Sequence, residues 1–240
     1  MLEEQSTLRN VPVSKDIILI DKPAGLSSFG VVARVRRHLS EQTGKKVKVG
    51  HTGTLDPFAT GLLILLANKF TKLSNDFLKL DKWYEATLLL GKTSTTGDPE
   101  GDISNFSAKI PSLAKVKQAV LAFTGKIQQT VPVFSAVKIN GQRAYQLSRR
   151  GEVVKMPTRE IEIYSIEILQ YKYPELIIRT HVSSGTYIRT LAEDIGRKLA
   201  TGAYLTSLRR TKVGIFDISS AIELEDFMQT GTPNTFNRSN

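Results

Sequence analysis

A single carboxylate, Asp56, stands in the stretch Gly50-His51-Thr52-Gly53-Thr54-Leu55-Asp56-Pro57-Phe58-Ala59-Thr60-Gly61-Leu62-Leu63, among three glycines, three threonines and one proline. That composition predicts a tight, backbone-rich loop presenting Asp56 at the mouth of the apolar run 62–67. A carboxylate so placed can work as a nucleophile or as a base. The same residues also suit a Gly/Thr-rich turn with a helix-capping aspartate. Arg189, in Gly185-Thr186-Tyr187-Ile188-Arg189-Thr190, carries a guanidinium that stays charged and can bond both carboxylate oxygens. It also reads as an exposed helix residue with a surface ion pair. Tyr84, in Asp81-Lys82-Trp83-Tyr84-Glu85-Ala86, reads as half-buried strand core. His51 reads as a structural or solvated loop histidine.

The elements that must position these residues mix strand and helix signals. Residues 17–20 form a short apolar strand closed by the turn sequence Asp21-Lys22-Pro23-Ala24-Gly25. Ser27 or Ser28 can cap a helix through about Leu39, with Val32, Val35 and Leu39 on one face. Residues 62–66 read as a fully buried strand. Residues 83–90 alternate, so that Tyr84, Ala86, Leu88 and Leu90 share one face. Residues 91–102 read as a loop, and Ser112 starts a helix that ends at Gly125. Residues 160–170 and 175–182 make a strand pair across Tyr173-Pro174. Residues 186–200 form an amphipathic helix with Ile188, Leu191, Ile195 and Leu199 in phase, and 205–218 return to extended structure. Strands following one another with few crossover helices predict an α+β fold with a mixed, largely antiparallel sheet.

Thirty-three Lys and Arg against 23 Asp and Glu leave a net charge of +10 over 240 residues, which suits a polyanionic partner through counterion release. No cysteine is present, so disulfides, thiol catalysis and Cys-ligated metals are excluded. His38, His51 and His181 alone supply no zinc ligand set, and there is no P-loop or dinucleotide fingerprint. No metal and no cofactor are expected. Neither a signal peptide nor a membrane span is legible, and the cytoplasm is the default compartment.

The fourteen residues around Asp56 resemble, in order, the signature of the TruB-type pseudouridine synthases. Those enzymes isomerise one uridine in the T loop of tRNA and use an aspartate at this place. The similarity runs from about residue 17 to 227. It implies a single catalytic domain over 15–228, with a bent central sheet flanked by helices and a thumb-like segment near 131–155 that closes over the RNA. A flexible leader (1–14) and tail (229–240) would flank it. The chain ends at Asn240 with no room for the small RNA-binding PUA module many members carry, so weaker contact with the acceptor end of tRNA is expected.

Residue by residue, the resemblance implies that Asp56 acts on a flipped uridine at position 55. It would do so as nucleophile at C6 or C1′ or as base at C2′. Arg189 matches the arginine that pairs with this aspartate, and Tyr84 matches the tyrosine that stacks on the target base. Tyr187 and Leu208 match pocket-lining positions, and His51 matches the histidine that helps open the T loop. Lys22 falls in the N-terminal motif with Pro23, near the active-site floor. Arg143, Arg149, Arg150 and Lys155, at and after the end of the segment that closes over the RNA, read as a phosphate-facing group or, equally, as a solvated basic face. The expected partner is the tRNA T stem-loop, met by a monomer with no obligate protein partner. Two alternatives stay open. An RNA-binding, tRNA-folding chaperone of the same fold is opposed by the joint retention of Asp56, Tyr84 and Arg189. A dyskerin-like, guide-RNA-dependent synthase is opposed by the short chain and the missing PUA module.

Overall fold

The computed structural model describes residues 14–231 except Asn140 and Val153, and the backbone but not the side chains of Tyr145 and Arg149. Residues 1–13 of the expected leader and 232–240 of the expected tail lie outside the described residues.

Four apolar residues open β1 (Ile17–Lys22), which takes in Asp21 and Lys22 of the expected turn. Ser27 caps α1 (Ser28–Thr43) by accepting from the Gly30 amide at 3.0 Å. The helix continues beyond Leu39 because nothing stops it before Gly44, whose φ of 64° ends it in the left-handed region. There follow β2 (Val49–His51), the buried β3 (Thr60–Ala67) and α2 (Ser74–Leu78). In β4 (Lys82–Leu90) burial alternates strictly, with Tyr84, Ala86, Leu88 and Leu90 inward as the period predicts. The expected loop 91–102 contains β5 (Lys92–Ser94), which forms a hairpin with β6 (Ile103–Asn105).

Ser112 caps α3 (Leu113–Leu121), which stops short of Gly125; that glycine instead opens β7 (Gly125–Thr130). β8 (Lys138–Ile139) pairs antiparallel with β9 (Gln142–Arg143), Ile139 opposite Gln142, and α4 (Ala144–Arg149) follows. Antiparallel β10 (Thr158–Lys172) and β11 (Glu175–Val182) flank Tyr173-Pro174. The chain closes with α5 (Ile188–Leu199), β12 (Ala203–Val213), β13 (Phe216–Asp217), β14 (Ile222–Glu223) and α6 (Leu224–Thr230). Among the described residues no helix is long and apolar enough to cross a membrane.

Two compact units result, one of residues up to Lys82 and from Arg209 onward, the other Trp83–Leu208. In the first, the strand order is β14-β1-β3-β12. β1 runs antiparallel to β3, while β1 with β14 and β3 with β12 pair in parallel. Its core gathers Ile17, Leu19, Leu62, Ile64 and Leu66 against Phe70, Phe77, Val213 and Phe216. In the second unit the order is β12-β4-β11-β10-β7, with β10 antiparallel to both neighbours, and α3 packs on α5. The first unit thus carries a mixed sheet and the second an antiparallel β7-β10-β11 run, both accompanied by helices, in keeping with the α+β fold that the strand pattern predicts.

One close approach fixes the first unit. Gly61 sits at φ 102°, and a Cβ there would lie 2.3 Å from the Arg210 carbonyl oxygen, its parallel partner on β12. Backbone strain and overlap with main chain that cannot yield act together. Gly61→Ala is therefore expected to destabilise the fold by about 3 kcal/mol, read as a lowered urea midpoint with an unchanged slope. A midpoint within error of the wild type would refute this reading.

Candidate active site

In the first unit, the loop carrying Asp56 is held by its main chain. The Leu55 amide donates to Ser28 Oγ at 2.8 Å, and that hydroxyl donates back to the Leu55 carbonyl at 2.9 Å. The Asp56 carbonyl accepts from the Ala59 amide at 3.1 Å. The Pro57 carbonyl accepts from the Gly25 amide at 2.8 Å and from Lys22 Nζ at 3.1 Å. Lys22, wholly buried, also donates to the Pro23 and Leu26 carbonyls at 2.8 and 2.7 Å. Upstream, the equally hidden Arg210 donates from Nη2 to the Gly53 carbonyl at 3.1 Å and from Nε to the Leu62 carbonyl at 2.8 Å. Asp56 is half-buried and no helix begins after it, so the capping role gives way to a braced loop. His51, on β2, accepts at Nδ1 from the Gly53 amide at 3.4 Å.

Lys82 lies in the same unit and is almost fully buried, its ammonium donating to the Leu78 and Leu80 carbonyls. Burial, with the Arg210 charge adding to it, pulls its pKa down to about 8 against the opposing effect of Asp81.

In the second unit, Arg189 occupies the first turn of α5 and is 5% exposed, which rules out the surface ion pair. Its Nη1 meets Asp98 Oδ2 at 3.2 Å and donates to the Thr96 carbonyl at 2.9 Å; Nη2 donates to the Phe134 carbonyl at 2.8 Å. Asp98, buried too, accepts at Oδ1 from Thr96 Oγ1 at 2.5 Å and from the Glu100 amide at 3.0 Å. Tyr187 precedes α5, and its backbone amide and carbonyl are both engaged by the Gln129 side chain, at 2.8 and 3.0 Å. Tyr84 and Leu208 are buried in β4 and β12.

A pocket of about 540 Å³ in this unit is lined by Thr95, Thr96, Phe134, Thr190 and Glu193, among others. Burial, reinforced by Asp194, pushes the Glu193 carboxyl above its usual range against the pull of Arg189 and Arg197. Arg143 and Lys155 are exposed, and Arg150 is held by Glu152 at 2.8 Å and Gln142 at 2.5 Å. The side chain of Arg149 lies outside the described residues.

Asp98, Gln129 and Arg210 escape sequence reading as site residues. A signal for Asp98 exists: Thr95-Thr96-Gly97-Asp98 repeats the pattern of Gly and Thr around one carboxylate seen at Asp56. Among the described residues no group of three or more His, Asp or Glu could hold a metal ion.

A family model described as the TruB family pseudouridylate synthase N-terminal domain matches residues 36–188. A second, the tRNA pseudouridylate synthase B C-terminal domain, matches residues 189–235. The chain is 43% identical over 214 residues to the tRNA pseudouridine synthase B of Phocaeicola vulgatus, covering 88% of this chain and 91% of the relative. It is 41% identical over 221 residues to that of Aquifex aeolicus, covering 91% and 75%. Among solved structures, a Cbf5-Nop10-Gar1 complex contains a chain similar at a TM-score of 0.70 and 30% identity, over 90% of this chain and 54% of that one.

Two outcomes follow from the buried charges. Asp98→Ala strips Arg189 of a buried carboxylate and should lower stability by about 3 kcal/mol in denaturant titration, more than Asp194→Ala on the exposed Arg197. An equal loss in the two variants would contradict this. For Lys82, both states hold the proton below pH 8. Between pH 8 and 10.5 the unfolded chain holds it more often than the folded one, so stability must rise with pH across that window. Wild type should gain roughly 2 kcal/mol over Lys82→Met between pH 7 and 9.5; a constant difference would show that Lys82 does not titrate there.

Proposed function

The chain belongs to the TruB family of pseudouridylate synthases, and we propose that it isomerises uridine to pseudouridine at position 55 in the T loop of tRNA. The relatives named tRNA pseudouridine synthase B support tRNA as the substrate class, and the match of the fourteen-residue motif supports the T loop. The enzyme works as a cytoplasmic monomer on the T stem-loop. The net charge of +10 suits the phosphate backbone of such a partner. The target nucleotide leaves its stack, since the glycosidic bond is out of reach inside it.

Asp56 then acts on the nucleotide while the C1′–N1 bond breaks and a C1′–C5 bond forms, C5 giving up its proton and N1 taking one up. The observation that carries this role is the bracing of Leu55 and Pro57, on either side of Asp56, by Ser28, Gly25 and buried Lys22. A carboxylate on a main chain so fixed needs no reorganisation at the moment of reaction. Arg189 supplies positive charge that keeps the carboxylate ionised. Tyr84 and Tyr187 line the base, where stacking contributes roughly 1–3 kcal/mol. His51 fills the place of the departed uridine, and Leu208 closes the pocket wall. Uracil is both leaving group and incoming group, so the reaction is redox-neutral and proceeds without a cofactor.

Asp56→Asn keeps the shape and removes the charge. On unmodified tRNA it should lower pseudouridine formation by about 10³-fold or more in carbodiimide mapping. Affinity for tRNA, which resides in phosphate contacts, should stay within about threefold. Wild-type protein that binds T-arm RNA without forming pseudouridine would overturn the enzymatic reading.

A further inference from the structure

On the rung where β7 pairs with β10, Gln129 faces Arg159. Residues opposite one another on an antiparallel pair project from the same face, and both of these side chains reach Tyr187. Gln129, with no exposed surface, clamps the Tyr187 backbone through both ends of its amide. Arg159 places its guanidinium over the Tyr187 ring, 5.7 Å from the centroid. Its Nη1 also lies 3.1 Å from the position a Cβ would take on Gly185, so the guanidinium follows the Gly185-Thr186-Tyr187 turn closely.

The guanidinium is otherwise uncommitted. Arg150, Arg179, Arg189 and Arg197 in the same unit each meet a carboxylate. Among the described residues none lies within ion-pair distance of Arg159, and none accepts a hydrogen bond from its guanidinium. The adjacent carboxylate, Glu160, is engaged by Lys126 at 3.1 Å. Arg159 is half-buried, and a cation partly withdrawn from water without a counter-charge is unfavourable. Its plane is steadied by the ring below while the N–H edges stay available, the arrangement that suits a two-pronged bond to a phosphate.

We propose that Arg159 binds a backbone phosphate of the substrate RNA next to the nucleotide that Tyr187 lines. The inference rests on the reading of the chain as a tRNA pseudouridine synthase and adds a binding residue to it. Arg159 is not a catalytic residue, because it reaches the RNA backbone and not the reacting atoms. Tyr187 serves as its seat, and Gln129 holds that seat in place.

The test is the salt dependence of T-arm RNA binding, measured as dissociation constants from about 50 to 300 mM KCl for wild type, Arg159→Gln and Arg159→Lys. Thermal unfolding of each checks that the variants fold. Arg159→Gln should bind about tenfold more weakly near physiological salt, with the slope of log affinity against log salt reduced by about 0.7–0.9, one phosphate contact. Arg159→Lys should restore the slope and only part of the affinity, since an ammonium can neutralise a phosphate but not grip it with two bonds. A wild-type slope in Arg159→Gln, with or without slower turnover, overturns the proposal and leaves the enzymatic reading untouched. Wild-type protein that does not bind T-arm RNA removes both.

Discussion

Two buried cations that bond to main-chain carbonyls hold the flanks of the Asp56 loop. Lys22 gathers the carbonyls of Pro23, Leu26 and Pro57, and Arg210 those of Gly53 and Leu62. A loop rich in glycine and threonine has little side-chain mass with which to pack itself. Its carbonyls, turned inward, would be unfavourable without donors. The two side chains resolve both difficulties at once, since each buried charge bonds one carbonyl of the loop it organises and finds its other acceptors in the chain beside it. The loop is therefore located from both flanks, at Gly53 and at Pro57, with Asp56 between them. The Gly61 contact complements this: only a residue without a side chain lets β12 come close enough for Arg210 to reach Gly53.

The second unit repeats the device with a carboxylate added. Arg189 bonds Asp98, the Thr96 carbonyl and the Phe134 carbonyl. It thereby ties the loop after β5 to the residues that follow β7, at the root of the segment expected to act as a thumb. Gln129 does for Tyr187 what Lys22 does for Pro57, satisfying backbone groups at the entrance to α5 where the helix leaves its first amides without partners. Tyr84 needs no such bracing, because the strict alternation of β4 already sets its direction.

What the sequence made legible follows from short-range physics. The buried run of β3, the alternation of β4 and the Ser27 cap of α1 each follow from a local period or a local hydrogen bond, and each is where the pattern put it. The misses follow from separation along the chain. Arg189 and Asp98 are 91 residues apart by number, and nothing in the spacing of either motif announces the other. The parallel alignment of β12 on β3 likewise depends on a register no local pattern encodes. β7 was hidden for another reason. Its one fully buried side chain is a glutamine, placed there for its amide, so the strand lacks the apolar alternation that would reveal it. The loop reading of 91–102 failed at β5, a three-residue strand with no apolar member.

The bonds from Arg210 to Leu62 and Gly53 span 148 and 157 residues of chain. During synthesis the Asp56 loop leaves the ribosome long before the arginine that secures it. Throughout that interval Gly53 has neither its donor nor its neighbouring strand. The first unit, made from both ends of the sequence, is completed only after the whole second unit has been translated. The order of manufacture thus delays the finished aspartate loop until Arg210 has been made, and a chain cut before it lacks the donor that the Gly53 carbonyl meets in the fold.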